Sequence, residues 1–187
     1  MPTLIIAGPS NVGKTTAASA LASDTGWPLL SVDDLALASA HPALAFEREE
    51  TVWRHPPRVL CELLVRKGEA LWPDVLEQID SHGSPGQPII IEGEGPWPDA
   101  VTGLNGHRDI RAAFIVERDP TTLDRTLRHR SKRFRALPAW QQSNVVQMNV
   151  LYGEWLIGRC EGVGVPWLAS QPWSTLRNRL TVALRLS

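Results

Sequence analysis

The chain has 187 residues, room for one domain with a sizeable core. Nineteen basic against twenty acidic side chains leave a formal net charge of −1, which argues against an extended nucleic-acid or anionic-membrane surface but not against a local basic site. No apolar run approaches a membrane span of ~20 residues, the first residues lack the pattern of an export leader, and two cysteines are too few for a disulfide framework; a cytoplasmic protein with Cys61 and Cys160 as reduced thiols is expected.

In chain order, TLIIAG (3–8) is a short apolar run ended by glycine and reads as a buried strand. Ala17, Ala18, Leu21 and Ala22 recur at helical spacing, so a helix is expected over 14–24, stopping near Gly26. PLLSVDD (28–34) reads as a second strand with an acidic end, followed by a helix from 35 to about 50. After a break at HPPR (55–58), Leu60 to Ile79 follow the spacing of a long amphipathic helix that Pro73 should kink or divide. IIIEGEG (89–95) is apolar enough for a strand covered on both faces. AAFIVE (112–117) is a fourth strand, and Asp119 with Pro120 marks the start of a helix over 119–130. Residues 131–140 look basic and irregular; a helix returns from Ser143 to about Cys160. VPWLAS (165–170) is a fifth strand and 172–186 a closing helix. Eight tryptophans are expected mostly in the core or in cleft walls.

Strands alternating with helices define an α/β chain with a parallel sheet and helices on both faces. Sites in such sheets lie beyond the carboxyl ends of the strands, where Gly8, Asp33, Glu92 and Glu117 all fall. Gly8 to Thr15 fits G-x-x-x-x-G-K-[ST] between a strand and a helix, the context in which that motif has meaning. Its glycines let the main chain wrap a phosphate, and the helix beginning at Gly13 aims unpaired N–H groups at the same anion. Main-chain contacts are therefore expected from Gly8, Ser10, Asn11, Val12, Gly13, Lys14, Thr15 and Thr16. Lys14 adds a charge on the β- and γ-phosphates, and Thr15 a hydroxyl for Mg²⁺.

Of Asp33 and Asp34, one is expected to address an acceptor hydroxyl and the other to cap the next helix; Asp33 is favoured for the chemistry. Glu92, with Glu94 two residues on, is placed to organise Mg²⁺ or its water. Arg118, Arg125, Arg128, Arg130, Lys132, Arg133 and Arg135 form a local basic surplus, read as a phosphate-covering lid over about 128–143 in which Arg128 and Arg133 are favoured. An acceptor pocket is expected around Trp53, with Arg48, Arg54 or Arg58 available for an acidic acceptor.

These blocks resemble, in order and over nearly the whole chain, the small P-loop kinases: nucleoside monophosphate, shikimate and gluconate kinases, and the chloramphenicol phosphotransferase and polynucleotide kinase type. IIAGPSNVGKTTAASALA is similar to their phosphate loop, LLSVDDL to their second strand, IIIEGE to the third, and FIVERDPTTLDRTLRHR to the approach to their lid. The resemblance implies a single domain over 1–187 with a three-layer fold, a five-stranded parallel sheet of order 2-3-1-4-5, ATP·Mg²⁺ as donor and a closing lid. The acid in SVDDL, without the arginine pattern of an adenylate kinase acceptor site, favours a small hydroxyl-bearing acceptor over a nucleotide. The expected activity is an ATP-dependent phosphotransferase. The alternatives are a nucleotide-binding regulator or partner-gated ATPase and, behind it, a polynucleotide or nucleotide kinase. The acceptor's identity and the oligomeric state are not legible.

Overall fold

The five apolar runs pair as one parallel sheet: β1 (Thr3–Ala7), β2 (Leu29–Ser31), β3 (Ile89–Gly93), β4 (Ile110–Val116) and β5 (Trp167–Ala169), in the order β2-β3-β1-β4-β5. The structure, a computed structural model, describes residues 2–38, 51–82, 87–104 and 109–186. Its helices are α1 (Lys14–Thr25), α2 (Val32–Ala38), α3 (Pro57–His82), α4 (Pro98–Thr102), α5 (Pro120–Arg130), α6 (Lys132–Ala136), α7 (Ala139–Val163) and α8 (Trp173–Ala183). This is the three-layer P-loop fold in the expected strand order.

The period-two alternation of the strands builds two cores. Leu4, Ile6, Ile90, Ala113 and Ile115 face the side covered by α1 and α8, where they meet Ala17, Ala18, Leu21, Leu176 and Leu180. Ile5, Ile91, Phe114 and Val116 face the other side, against Leu60, Leu64 and Leu71 of α3 and Met148, Tyr152 and Leu156 of α7. Strands buried on both faces carry no polar side, which is why β1 and β3 read as unbroken apolar runs. Register then aligns the strand ends. Ile6 and Ser31 both stand opposite Glu92, and Ala7 stands opposite Gly93. The loops that follow share one rim.

Several expectations are corrected. β2 stops at Ser31, so Asp33 and Asp34 lie in the first turn of α2 and not in a strand. Val32 sets that boundary: it is fully buried against Gly93 and Gly95, where a Cβ on Gly93 would come within 2.6 Å of its own Cβ. Two acids just behind it suit a helix N-terminus. α2 is described only to Ala38; the rest of the helix expected to about 50, with Arg48, lies outside the described residues. α3 begins at Pro57 and runs unbroken through Pro73, its buried Leu71 and Val75 holding it against the core across the missing hydrogen bond. Residues 132–136 form a short helix, not irregular chain, because the Ser131 hydroxyl accepts from the Phe134 N–H at 3.0 Å and Phe134 is buried. α7 starts at Ala139, before the expected Ser143. No tryptophan is fully buried; Trp140 and Trp173 are exposed and the other six half-buried.

The tightest backbone constraint is at the end of β1. Gly8 has φ +146°, and a Cβ there would sit 2.0 Å from the Ile115 carbonyl oxygen. Gly8→Ala should therefore destabilise the fold by about 3 kcal/mol or more. Gly158, exposed in α7 with nothing within 4 Å of a Cβ, should gain ~0.5–1 kcal/mol on replacement by Ala. Urea unfolding of the two variants checks the pair.

Candidate active site

The loop between β1 and α1 is wound through left-handed conformations at Asn11 (φ 63°) and Gly13 (φ 97°). Asparagine is among the few side chains that tolerate this region. Gly13 caps α1 without any side-chain hydrogen bond, so the first N–H groups of this helix of 12 residues have no side-chain acceptor. Lys14 is 6% exposed, and its Nζ donates to the Pro9 carbonyl at 2.6 Å, back across the loop. A buried cation and a positive helix end meet at this left-handed loop, which is chemistry for a polyanion. Val12 packs in the core beneath α1 and α8, leaving its main chain for the loop.

Beside the loop, the Thr15 hydroxyl donates to Glu92 Oε2 at 3.1 Å. Glu92 is 3% exposed. Burial raises its pKa; Lys14 and the hydrogen bonds from Thr15 and Ser31 pull it back only in part, and Asp33 raises it further. Among the described residues no group of three or more His, Cys, Asp or Glu is gathered as a metal site. Thr15 and Glu92 still fit Mg²⁺, which commonly takes one or two protein oxygens and fills its shell with phosphate and water.

Asp33 keeps solvent access at the cleft mouth, yet its carboxyl is crowded by protein. Desolvation first, then the charge of Glu94, raise its pKa above the usual carboxylate range, against the opposing pull of Lys67 and Lys14. Glu94 is itself buried and ion-paired with buried Lys67 of α3 at 3.7 Å. Glu117, also at a strand end, is structural: it accepts from the Arg118 and Asp119 N–H groups and from the Ser170 hydroxyl, tying β4 to the end of β5. Neither thiol is activated, since burial pushes Cys61 up to about 11 and Cys160 up to about 12.

Two small cavities flank the loop. One, about 160 Å³, lies between Gly13, Thr16 and Ala17 on one side and Arg130, Trp173 and Leu176 on the other, with the Arg130 guanidinium 5.8 Å from the Trp173 ring centre. The second, about 150 Å³, joins Ser10 and Asn11 to Trp53, Arg133, Phe134, Met148 and Asn149. There the Arg133 guanidinium covers the Trp53 ring at 5.6 Å. The turn carrying Trp53 is anchored to α7 by Asn144, which donates to the His55 carbonyl at 3.1 Å. Of the two favoured lid arginines, Arg133 borders the loop. Arg128 is paired with Asp124 at 2.7 Å and lies over Phe134. Arg54 is exposed, and Arg58 lines a separate groove with Pro57, Pro120 and Gln147. Arg130, part of the basic surplus, borders the loop together with Trp173, while Lys67 and Asn149 stand near it without any sequence expectation. Lys67 and Asn149 sit on helix faces whose partners are remote in sequence.

Comparison with solved structures returns the same fold throughout. A shikimate kinase from Bacteroides thetaiotaomicron is 17% identical with a TM-score of 0.55, covering 98% of each chain. A deoxyadenosine kinase from M. mycoides with bound dATP is 13% identical with a TM-score of 0.56, again covering 98% of each chain. A gluconokinase from Sinorhizobium meliloti 1021 is 15% identical with a TM-score of 0.52, covering 98% of this chain and 91% of its own. These neighbours are small-molecule and nucleoside kinases with P-loop kinase-like folds, and that fold is what this chain shares with them. No protein-family model and no curated protein sequence matches the chain. Among the described residues no helix is long and apolar enough to cross a membrane.

The raised Asp33 carboxyl has a stability consequence with a defined sign. The folded state holds its proton at pH values where the unfolded chain has released it. Its contribution is therefore most favourable below the ordinary aspartate pKa and is lost as pH rises through the raised value. Asp33→Asn should melt above wild type at neutral pH, with the advantage shrinking as pH falls through that window. Melting curves across pH 3–8 check it.

Proposed function

We propose that the protein is an ATP-dependent phosphotransferase that moves the γ-phosphoryl group to the hydroxyl of a small acceptor. The observation that carries this reading is buried Lys14, held back across the left-handed loop, with the raised carboxyl of Asp33 within its electrostatic reach. A switch or a simple ATPase needs the loop but has no use for a proton acceptor held on its far side.

The roles follow from position. Main-chain N–H groups of residues 10–16 bind the phosphates, and Lys14 Nζ turns from the Pro9 carbonyl to their oxygens. Thr15 Oγ1, with Glu92 behind it through water, would hold Mg²⁺, which when bound neutralises charge on the β- and γ-oxygens. The Arg130–Trp173 cavity takes the base, packed against the indole. Arg133 covers the transferring group; Arg128 joins it only if its pair with Asp124 breaks. Asp33 Oδ accepts the proton of the acceptor hydroxyl as that oxygen attacks the γ-phosphorus and ADP leaves. A raised pKa makes it the better base for the step. Segment 128–143, closing over the loop, would exclude water and so suppress hydrolysis.

The neighbours that act on shikimate or bind dATP support the reaction class; neither substrate is carried over. Lys14→Ala should abolish Mg·ATP binding in calorimetry. Asp33→Asn should bind Mg·ATP within about two-fold of wild type and lose ~10²–10⁴ in transfer. Normal transfer by Asp33→Asn would remove it from the chemistry. Trp173→Ala should raise the KM for ATP about ten-fold, a stack being worth ~1–1.5 kcal/mol, with acceptor KM unchanged.

A further inference from the structure

Among the described residues, three buried side-chain polar atoms lack a hydrogen-bond partner: Trp53 Nε1, Glu94 Oε1 and Asn149 Oδ1. Folded proteins rarely leave such atoms unpaired, and two of them at one cavity point to a missing ligand. Trp53 and Asn149 border the same cavity beside Ser10 and Asn11 of the phosphate loop. Glu94 acts electrostatically on both Asp33 and Tyr152, and Tyr152 is one helical turn from Asn149 on α7. Trp53 and Asn149 thus stand together beside the loop, with Glu94 near Asp33 and Lys67.

Their chemistry is legible. Asn149 is 1% exposed, and its amide orientation is fixed because Nδ2 donates to the Val145 carbonyl at 2.9 Å, an oxygen that only the NH₂ end can address. Oδ1 is therefore the unsatisfied end, an acceptor. Glu94 Oε1 is a second acceptor, while its carboxylate as a whole is already neutralised by Lys67. The Trp53 indole N–H is the one donor. The charges agree with this count: Asp33, Glu92 and Glu94 are matched by Lys14, Lys67 and Arg133, so no surplus of cation is on offer once Lys14 serves the nucleotide.

We propose that the acceptor is an uncharged or cationic alcohol that also carries N–H groups, as an amino or amide function, and bears neither carboxylate nor phosphate. The inference rests on the phosphotransferase reading above. The N–H groups go to Asn149 Oδ1 and Glu94 Oε1, an oxygen accepts from Trp53 Nε1, and the hydroxyl faces Asp33. A carboxylate here would meet two acceptor oxygens and no surplus of positive charge.

The test offers wild-type protein, with γ-labelled ATP and Mg²⁺, two competing sets of acceptors. The first contains glucosamine, N-acetylglucosamine and ethanolamine; the second contains shikimate, gluconate and AMP. Label in the first set is expected. Label mainly in the second set overturns the proposal, as does label in neither while Mg·ATP still binds. Failure to bind Mg·ATP instead overturns the phosphotransferase reading itself. Trp53→Phe keeps the ring under Arg133 and Asn149→Leu keeps the bulk. Each should lower kcat/KM for the labelled acceptor at least about ten-fold, with KM for ATP within two-fold. Because each removes an unpaired buried atom, each should also raise the melting temperature of the free protein by about 2–4 °C. A lowered melting temperature in both variants would make these groups structural and overturn the assignment.

Discussion

A buried ammonium group governs this molecule. Lys14 is 6% exposed, and the hydrogen bond it makes is to a neutral carbonyl, Pro9 O. Burying a cation costs several kcal/mol unless opposite charge repays it. The acids in range, Glu92 and Asp33, are themselves pushed toward their neutral forms by burial. Folding thus leaves an unfinished electrostatic arrangement at the N-terminus of α1, which the proposed function fills with a polyphosphate.

The rest of the fold serves to hold that arrangement open. The parallel register puts Glu92 between Ile6 and Ser31, so the acid next to Thr15 follows from strand pairing. Gly8 lets the chain leave β1 hard against the Ile115 carbonyl, which fixes where the loop begins. On the far side of the loop, α3 brings Lys67 and α7 brings Asn149 and Tyr152, long helices packed into the same core face. In the proposed function, donor and acceptor regions are therefore built from different layers. The Arg130–Trp173 cavity belongs to the α1–α8 side, and the Trp53–Asn149 cavity to the α3–α7 side.

Much of this was legible because the signals are local. The phosphate loop sits within eight consecutive residues, and five apolar runs separated by amphipathic stretches permit few sheets other than the one observed. The cap at Asp119 was legible for the same reason: its carboxylate accepts from the N–H groups of Thr121 and Thr122, both within three residues. What escaped depends on distant neighbours. Val32 ends β2 because Gly93 and Gly95 leave it room, a fact stored sixty residues downstream. Ser131 three residues before Phe134 was a readable cap, masked by the basic residues around it. Lys67 and Asn149 lie among the apolar positions of long helices, where a polar residue is easily taken for a solvated one.

The most direct measurement is a ¹⁵N–¹H titration of the intact protein with Mg·ATP, following main-chain amides and tryptophan indoles together. Saturable shifts of the Gly13, Lys14, Thr15 and Thr16 amides, with the Trp173 indole moving in step, are the expected result. Contradiction would be a spectrum that ignores the nucleotide. It would equally be shifts confined to the larger cavity of about 710 Å³ at the opposite end of the sheet, where Asp109, Arg111 and Arg185 stand.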